Sequence, residues 1–140
     1  MLNYTLQHQI SWADVDPAGI VFYPRYYEWI NDSAHLLFDS ASLNLLTLSR
    51  ERNIQFGVVE SGCRYYKPGK YGQKIIIRTE IEEVGAKTIT FRSRIANLEN
   101  DIVLAMAMEK RICIDVSNPE RLKAMDIPDD ILCILKKNPR

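Results

Sequence analysis

Asp14-Val15-Asp16-Pro17-Ala18-Gly19-Ile20-Val21-Phe22-Tyr23-Pro24-Arg25-Tyr26 couples two carboxylates, a sharp turn and the start of a helix. Pro17 and Gly19 stop the element that precedes them. Pro24 suits the first turn of a helix, where its missing N–H is not needed. From there Tyr26, Ile30, Ala34, Leu37, Phe38, Ala41 and Leu45 recur at helical spacing. The pattern predicts one long helix from Pro24 to Arg50, with a break near Ser40–Asn44. An apolar face that runs over so many turns needs a wide partner to bury it.

On either side of this helix the period changes from helical to alternating. Before it, segment 3–12 places Tyr4, Leu6, His8, Ile10 and Trp12 on one face of a strand. After it, residues 54–66 form a strand ending before Lys67-Pro68-Gly69. Ile75, Ile77, Thr79 and Ile81 alternate, then Ile89, Phe91, Ser93 and Ile95. Ile102, Leu104, Met106, Met108, Ile112 and Ile114 do so over the longest strand. Short turns at Glu83–Lys87 and Asn97–Asp101 make these three strands antiparallel neighbours. Pro119 and Pro128 break the tail, and 129–137 reads as a short terminal helix. The order is strand, long helix, four strands: an α+β arrangement with one sheet face covered by the helix. With no repeat, low-complexity tract or linker, residues 1–140 read as one domain.

The chain has 140 residues, enough to bury a core without disulfides. Eighteen basic residues balance eighteen acidic ones, which argues against a duplex nucleic-acid binder but not against a local basic patch for one phosphorylated ligand. Cys63, Cys113 and Cys133 are odd in number and irregular in spacing, and read as buried reduced thiols. No run reaches the ~20 apolar residues of a membrane span, and MLNYTLQHQI lacks the basic start and apolar core of a signal peptide. A cytoplasmic location is the expectation.

Asp16 is the candidate for chemistry in this segment. A carboxylate beside the N–H groups of an incoming helix stands next to a natural oxyanion site, and can attack an acyl carbon or activate water. The same residue also fits a purely structural Asp-Pro turn. No metal or other cofactor is called for, because His8 and His35 fit no ligand spacing; His8 reads as a core or interface residue and His35 as packed or exposed on the helix. The absence of Gly-x-Ser-x-Gly argues against an α/β-hydrolase thioesterase.

Asp14, Asp16, Ala18, Gly19, Val21 and Tyr23 resemble the signature of the 4-hydroxybenzoyl-CoA thioesterase family, which includes the thioesterases of the Tol–Pal gene cluster. Arg64-Tyr65-Tyr66-Lys67-Pro68-Gly69 resembles the family's strand end before its proline turn. The resemblance implies a hotdog fold, an antiparallel sheet of five or six strands wrapped around one long central helix. It implies a homo-oligomer, a dimer or a tetramer of dimers, with sites between subunits. It makes Asp16 the nucleophile or general base in hydrolysis of an acyl-CoA, and gives the backbone N–H near Tyr23 the polarisation of the thioester carbonyl. Gly19, Ile20, Val21, Tyr26 and Asn31 become substrate contacts. Lys87 and Thr88 match positions that hold the CoA nucleotide, and Arg92 joins them from the next strand.

Two positions depart from the family. The 4-hydroxybenzoyl enzyme has an aspartate that meets the substrate phenol where this chain has Asn31, and Asn cannot supply the charge. The Tol–Pal type often has a histidine where this chain has Pro24. Acyl specificity is therefore open between aromatic and short-to-medium aliphatic chains. Glu28 is a second candidate carboxylate. A hotdog dehydratase or hydratase, and a non-catalytic module binding acyl-CoA or acyl carrier protein, are the competing readings.

Overall fold

The computed structural model describes residues 2–137. β1 (Asn3–Gln9) leads through a single 3-10 turn at Trp12–Asp14 to α1 (Pro24–Ser40) and α2 (Leu45–Arg52). Four longer strands follow: β2 (Ile54–Tyr65), β3 (Lys74–Val84), β4 (Thr88–Asn97) and β5 (Val103–Asp115). The short β6 (Lys123–Ala124) and α3 (Asp129–Leu135) close the chain. The sheet is antiparallel in the order β1-β3-β4-β5-β2, with β6 on β5. It curls around α1 as the hotdog arrangement requires. Among the described residues no helix is long and apolar enough to cross a membrane.

The helical pattern read from Pro24 to Arg50 is two helices, and the break is complete. Ser42 takes a left-handed φ of 61°, Leu43 turns into the core, and Asn44 caps α2 by accepting from the Thr47 N–H at 3.0 Å. α1 buries Tyr26, Trp29, Ile30, Ser33, Ala34, Leu37 and Phe38 against the sheet. Phe38 packs between Phe56 and Phe91, with ring centroids 5.4 and 5.7 Å away.

Three expectations need correction. Trp12 does not continue the β1 alternation: the strand ends at Gln9, Trp12 opens the 3-10 turn, and its side chain is 77% exposed. Of the Ile102–Ile114 set on β5 only Leu104 is buried. Ala105, Ala107, Glu109, Arg111 and Cys113 face inward, because small residues leave room for α1 and the two charges pair with each other. Among the cysteines only Cys113 is buried; Cys63 is half-buried and Cys133 exposed.

Two polar devices hold the frame. Ser33 on α1 donates to Thr79 on β3 at 2.8 Å, and Thr79 shares a 2.7 Å bond with Ser93 on β4, all three fully buried. This row of hydroxyls fixes the register of helix on sheet. The second device is Asp14. Its Oδ2 accepts from the Ser11 N–H (2.8 Å), the Ser11 hydroxyl (3.1 Å) and His8 Nε2 (2.8 Å), and Arg25 Nε lies 3.7 Å from Oδ1. Burial pushes the Asp14 carboxyl up, but these hydrogen bonds outweigh it and hold the group below its ordinary range. Asp14 thus ties the turn before α1 back onto β1.

Each device makes a prediction. Thr79→Val strands two buried hydroxyls and costs about 1–3 kcal/mol in denaturant unfolding; adding Ser33→Ala and Ser93→Ala recovers most of that loss. Asp14 has a lowered folded-state pKa, so its contribution is present in full above the unfolded carboxylate value of about 3.9. It disappears as pH falls through the folded value. Asp14→Asn is therefore less stable than wild type at pH 7 by about 1–3 kcal/mol, and the gap closes on acidification below about pH 4.

Candidate active site

Residues 15–21 fold as a small hairpin. Val15 pairs with Val21. Asp16 N–H donates to Ile20 O and Gly19 N–H to Asp16 O, each at 2.9 Å. Pro17 presets the turn, and Gly19 supplies the left-handed φ of 78° that returns the chain. The Asp16 carboxylate accepts from the Ala18 N–H through Oδ1 at 2.8 Å. Its Oδ2 makes no hydrogen bond among the described residues, and the side chain is half-exposed. The amide that meets Asp16 therefore belongs to its own turn and not to the incoming helix, as the sequence suggested. The turn leaves one carboxylate oxygen free.

At the other end of the hairpin the chain enters α1. Phe22 N–H donates to Asp14 O at 2.8 Å, Arg25 N–H to Phe22 O at 2.9 Å and Tyr26 N–H to Tyr23 O at 3.1 Å. Pro24 has no N–H to give. The Tyr23 N–H alone in this run has no partner among the described residues, and Tyr23 is the N-cap of the helix. A free amide at a helix N-terminus favours a carbonyl oxygen or an oxyanion.

Beside it lies a cleft of about 310 Å³ lined by Ile20, Val21, Tyr23, Tyr26, Tyr65 and Tyr66, and closed by the Lys67-Pro68-Gly69 loop. The loop is pinned to the hairpin by Val21 N–H to Gly69 O at 2.9 Å and by the Ile20–Lys70 bridge. Tyr26 forms the buried floor; burial pushes its phenol up, against an opposing pull from the Gly69 amide. Tyr65 is shifted upward by burial of its hydroxyl and by neighbouring Cys63 and Tyr27. Both phenols are neutral at physiological pH, so the cleft is apolar and uncharged apart from Lys67.

The predicted residues divide. Ile20, Val21, Tyr23 and Tyr26 line the cleft; Asp16 and Gly19 sit at the hairpin tip outside its lining, and Asn31 lies two turns along α1. Lys87, Thr88 and Arg92 do not join them within one chain. Thr88 pairs with Ile112, whereas the cleft's Tyr65 pairs with Ala105 opposite Ile95. Seven residues of β4 put Thr88 about 23 Å from the cleft end. Lys87 is bonded to Asp126 at 2.8 Å, and Arg92 lies on the outer sheet face bonded to Glu82 at 2.9 Å. Glu28 is paired with Arg25 at 2.7 Å. Sequence reasoning missed the buried Glu109–Arg111 pair, although two charges on the parity of Ala105 and Ala107 were its signal.

The thioesterase-like superfamily model matches residues 10–135. The chain is similar to the 4-hydroxybenzoyl-CoA thioesterase of Pseudomonas sp. (strain CBS-3), 25% identical over 134 residues that cover 93% of this chain and 95% of that protein. It is similar also to the 1,4-dihydroxy-2-naphthoyl-CoA hydrolase of Nostoc punctiforme, 23% identical over 141 residues, 99% of this chain and 90% of that one. In three dimensions it matches a mutant 4-hydroxybenzoyl-CoA thioesterase complexed with 4-hydroxybenzoyl-CoA, with a TM-score of 0.89 and 25% identity over 97% of this chain and 100% of the other. A family match of this extent, on this sheet and helix, means that the chain belongs to the thioesterase-like superfamily, among the hotdog-fold hydrolases of acyl-CoA thioesters.

Proposed function

We propose that this protein hydrolyses an aromatic acyl-CoA, or a short-to-medium aliphatic one, to the free acid and CoA. The observation that carries the reading is the Tyr23 N–H at the head of α1, without a partner among the described residues and beside an apolar tyrosine-lined cleft. The thioester carbonyl accepts from that N–H, and the helix dipole favours the charge that develops on its oxygen. Asp16 uses its free oxygen in one of two ways. As a general base it takes a proton from water while the hydroxide adds to the carbonyl carbon. As a nucleophile it adds directly, and water later opens the anhydride. In both routes the C–S bond breaks, CoA leaves as thiolate and takes up the proton, and the acyl group leaves as carboxylate.

The aromatic preference is supported by Tyr26 and Tyr65, whose rings meet edge to face at 5.2 Å in the cleft wall, and by the aromatic substrates of the similar proteins. Lys67 at the cleft is the near basic group for the CoA phosphates. A role for Lys87, Thr88 and Arg92 requires a second copy of the chain. Exposed Val58 and Val59 on edge strand β2, 51% and 56% accessible, support such a homo-oligomer. The three free cysteines fit a reducing, cytoplasmic compartment. A hydratase would want a histidine beside a carboxylate. His8 and Asp14 are so paired, but His8 lines a separate recess with Gln7, Gln9, Lys74 and Leu98.

The test is thiol release from acyl-CoAs running from acetyl to palmitoyl, with benzoyl, 4-hydroxybenzoyl and phenylacetyl included. Wild type is expected to release CoA from the aromatic members. Asp16→Asn keeps the Oδ1 that accepts from Ala18, so its thermal stability stays near wild type while turnover falls about 10²-fold or more. No release from any member, or a variant as fast as wild type, sinks the assignment.

A further inference from the structure

Lys67-Pro68-Gly69-Lys70-Tyr71-Gly72-Gln73-Lys74, the loop between β2 and β3, holds three lysines and no acid. All three lysines are exposed, and none forms an ion pair among the described residues. The chain leaving β1 runs beside this loop. Ile10 N–H donates to Gln73 O at 2.9 Å, Gly72 N–H to Ile10 O at 2.8 Å, and the Gln9 side chain to Gly72 O at 3.2 Å. Lys70 N–H donates to the Gln73 side chain at 2.9 Å. This frame sets Trp12 against Tyr71, with ring centroids 5.7 Å apart. The two rings are 77% and 60% exposed, and neither lines the cleft or joins the core. Single exposed apolar residues need no explanation, but here hydrogen bonds hold two large rings together in solvent beside unpaired lysines.

Three acids adjoin the strip. Asp14 is buried and saturated by Ser11 and His8. Asp16 lies across the Ile20–Lys70 bridge, and Glu99 follows Leu98, whose N–H donates to Lys74 O at 2.9 Å. None of the three pairs with a lysine of the loop, so the strip stays cationic. A second copy fits it poorly, because a two-fold axis would set the lysines against themselves. A purine fits it poorly too: the rings meet at 89°, so they offer edges and no parallel slot. Protein interfaces are enriched in arginine and depleted in lysine. Lysine beside Trp and Tyr is the pattern of a bilayer surface. There the amphipathic rings sit at headgroup depth and the ammonium groups meet anionic phosphates.

We propose that Trp12, Tyr71, Lys70 and Lys74 dock this protein reversibly on an anionic phospholipid surface. The rings seat among the headgroups, the lysines supply the attraction, and no segment crosses the bilayer. Lys67 carries the charge to the cleft mouth, and the cleft shares the Lys67–Gly69 loop with the strip, so docking brings the cleft to the surface. This holds whatever the cleft hydrolyses. Each lysine near an anionic surface strengthens binding about fivefold, and the attraction fades as salt shortens the screening length.

The chain carries its own probe. Its two tryptophans are Trp12 and Trp29, and Trp29 is only 6% exposed, so a change in quenching reports on Trp12. The full chain is sedimented with sucrose-loaded vesicles of phosphatidylcholine alone, or of phosphatidylglycerol and phosphatidylcholine in equal parts, and tryptophan emission is followed with acrylamide as quencher. Sedimentation is expected with the anionic vesicles only, with a blue shift, protection from acrylamide and loss of both at high salt. Trp12→Phe is expected to abolish the shift. Lys70→Gln with Lys74→Gln is expected to weaken binding about tenfold or more. All three side chains are exposed, so the variants keep the wild-type melting temperature. No sedimentation with anionic vesicles, equal binding to neutral ones, binding that leaves Trp12 open to acrylamide, or a double lysine variant that binds like wild type overturns the proposal. Protection of Trp12 by protein concentration alone assigns the strip to a second copy, and protection by polyglutamate but not by vesicles assigns it to an acidic protein; either overturns the lipid reading.

Discussion

The hydrogen bond from the Val21 N–H to the Gly69 carbonyl, 2.9 Å long, joins the two segments on which everything in the site depends. One leads from the Asp16 turn into α1; the other is the loop between β2 and β3. A side chain at 69 would force its neighbours to shift. A Cβ there would stand 2.9 Å from Val21 Cγ2, 3.0 Å from Ile10 Cδ1 and 3.2 Å from the Tyr26 hydroxyl. With these side chains packed against Gly69, the cleft has two walls and a floor of buried Tyr26. The helix N-terminus is thereby presented to an open cleft with a mostly apolar lining.

The hairpin and the helix start divide the labour of two aspartates only one residue apart. Asp14 is buried and saturated by Ser11 and His8, so it is an anchor. Asp16 is half-exposed and holds one oxygen in its own turn, so it has an oxygen to spare. The environment, not the residue type, makes one structural and the other available for chemistry.

Much of this was legible in the sequence. The alternation of Ile75–Ile81 and Ile89–Ile95, and the helical spacing from Tyr26 to Phe38, gave the sheet and the helix that covers it. Ile20, Val21, Tyr23 and Tyr26 could be placed together because they are neighbours in the chain. The failures were of long range. Trp12 extended an alternation that a local Ser11–Asp14 cap cuts short. The apolar methionines of β5 outweighed Ala105 and Ala107, because hydrophobicity does not reveal which face must make room for a helix. Strand register puts Thr88 at the end of β4 remote from the cleft and Arg92 midway along it, so a joint role with the cleft would fall between subunits, where the resemblance put the sites. The Asn31–Arg111 contact spans 80 residues of chain and leaves no local pattern.

The central claim is that Asp16 acts in the chemical step at a site already built without it. The most direct measurement is the affinity of Asp16→Asn for an aromatic acyl-CoA that wild type hydrolyses, taken by calorimetry beside single-turnover rates for both proteins. The account predicts binding within a few-fold of wild type and a single-turnover rate slower by about two orders of magnitude or more. An affinity loss as large as the rate loss, or a rate equal to wild type, would contradict it.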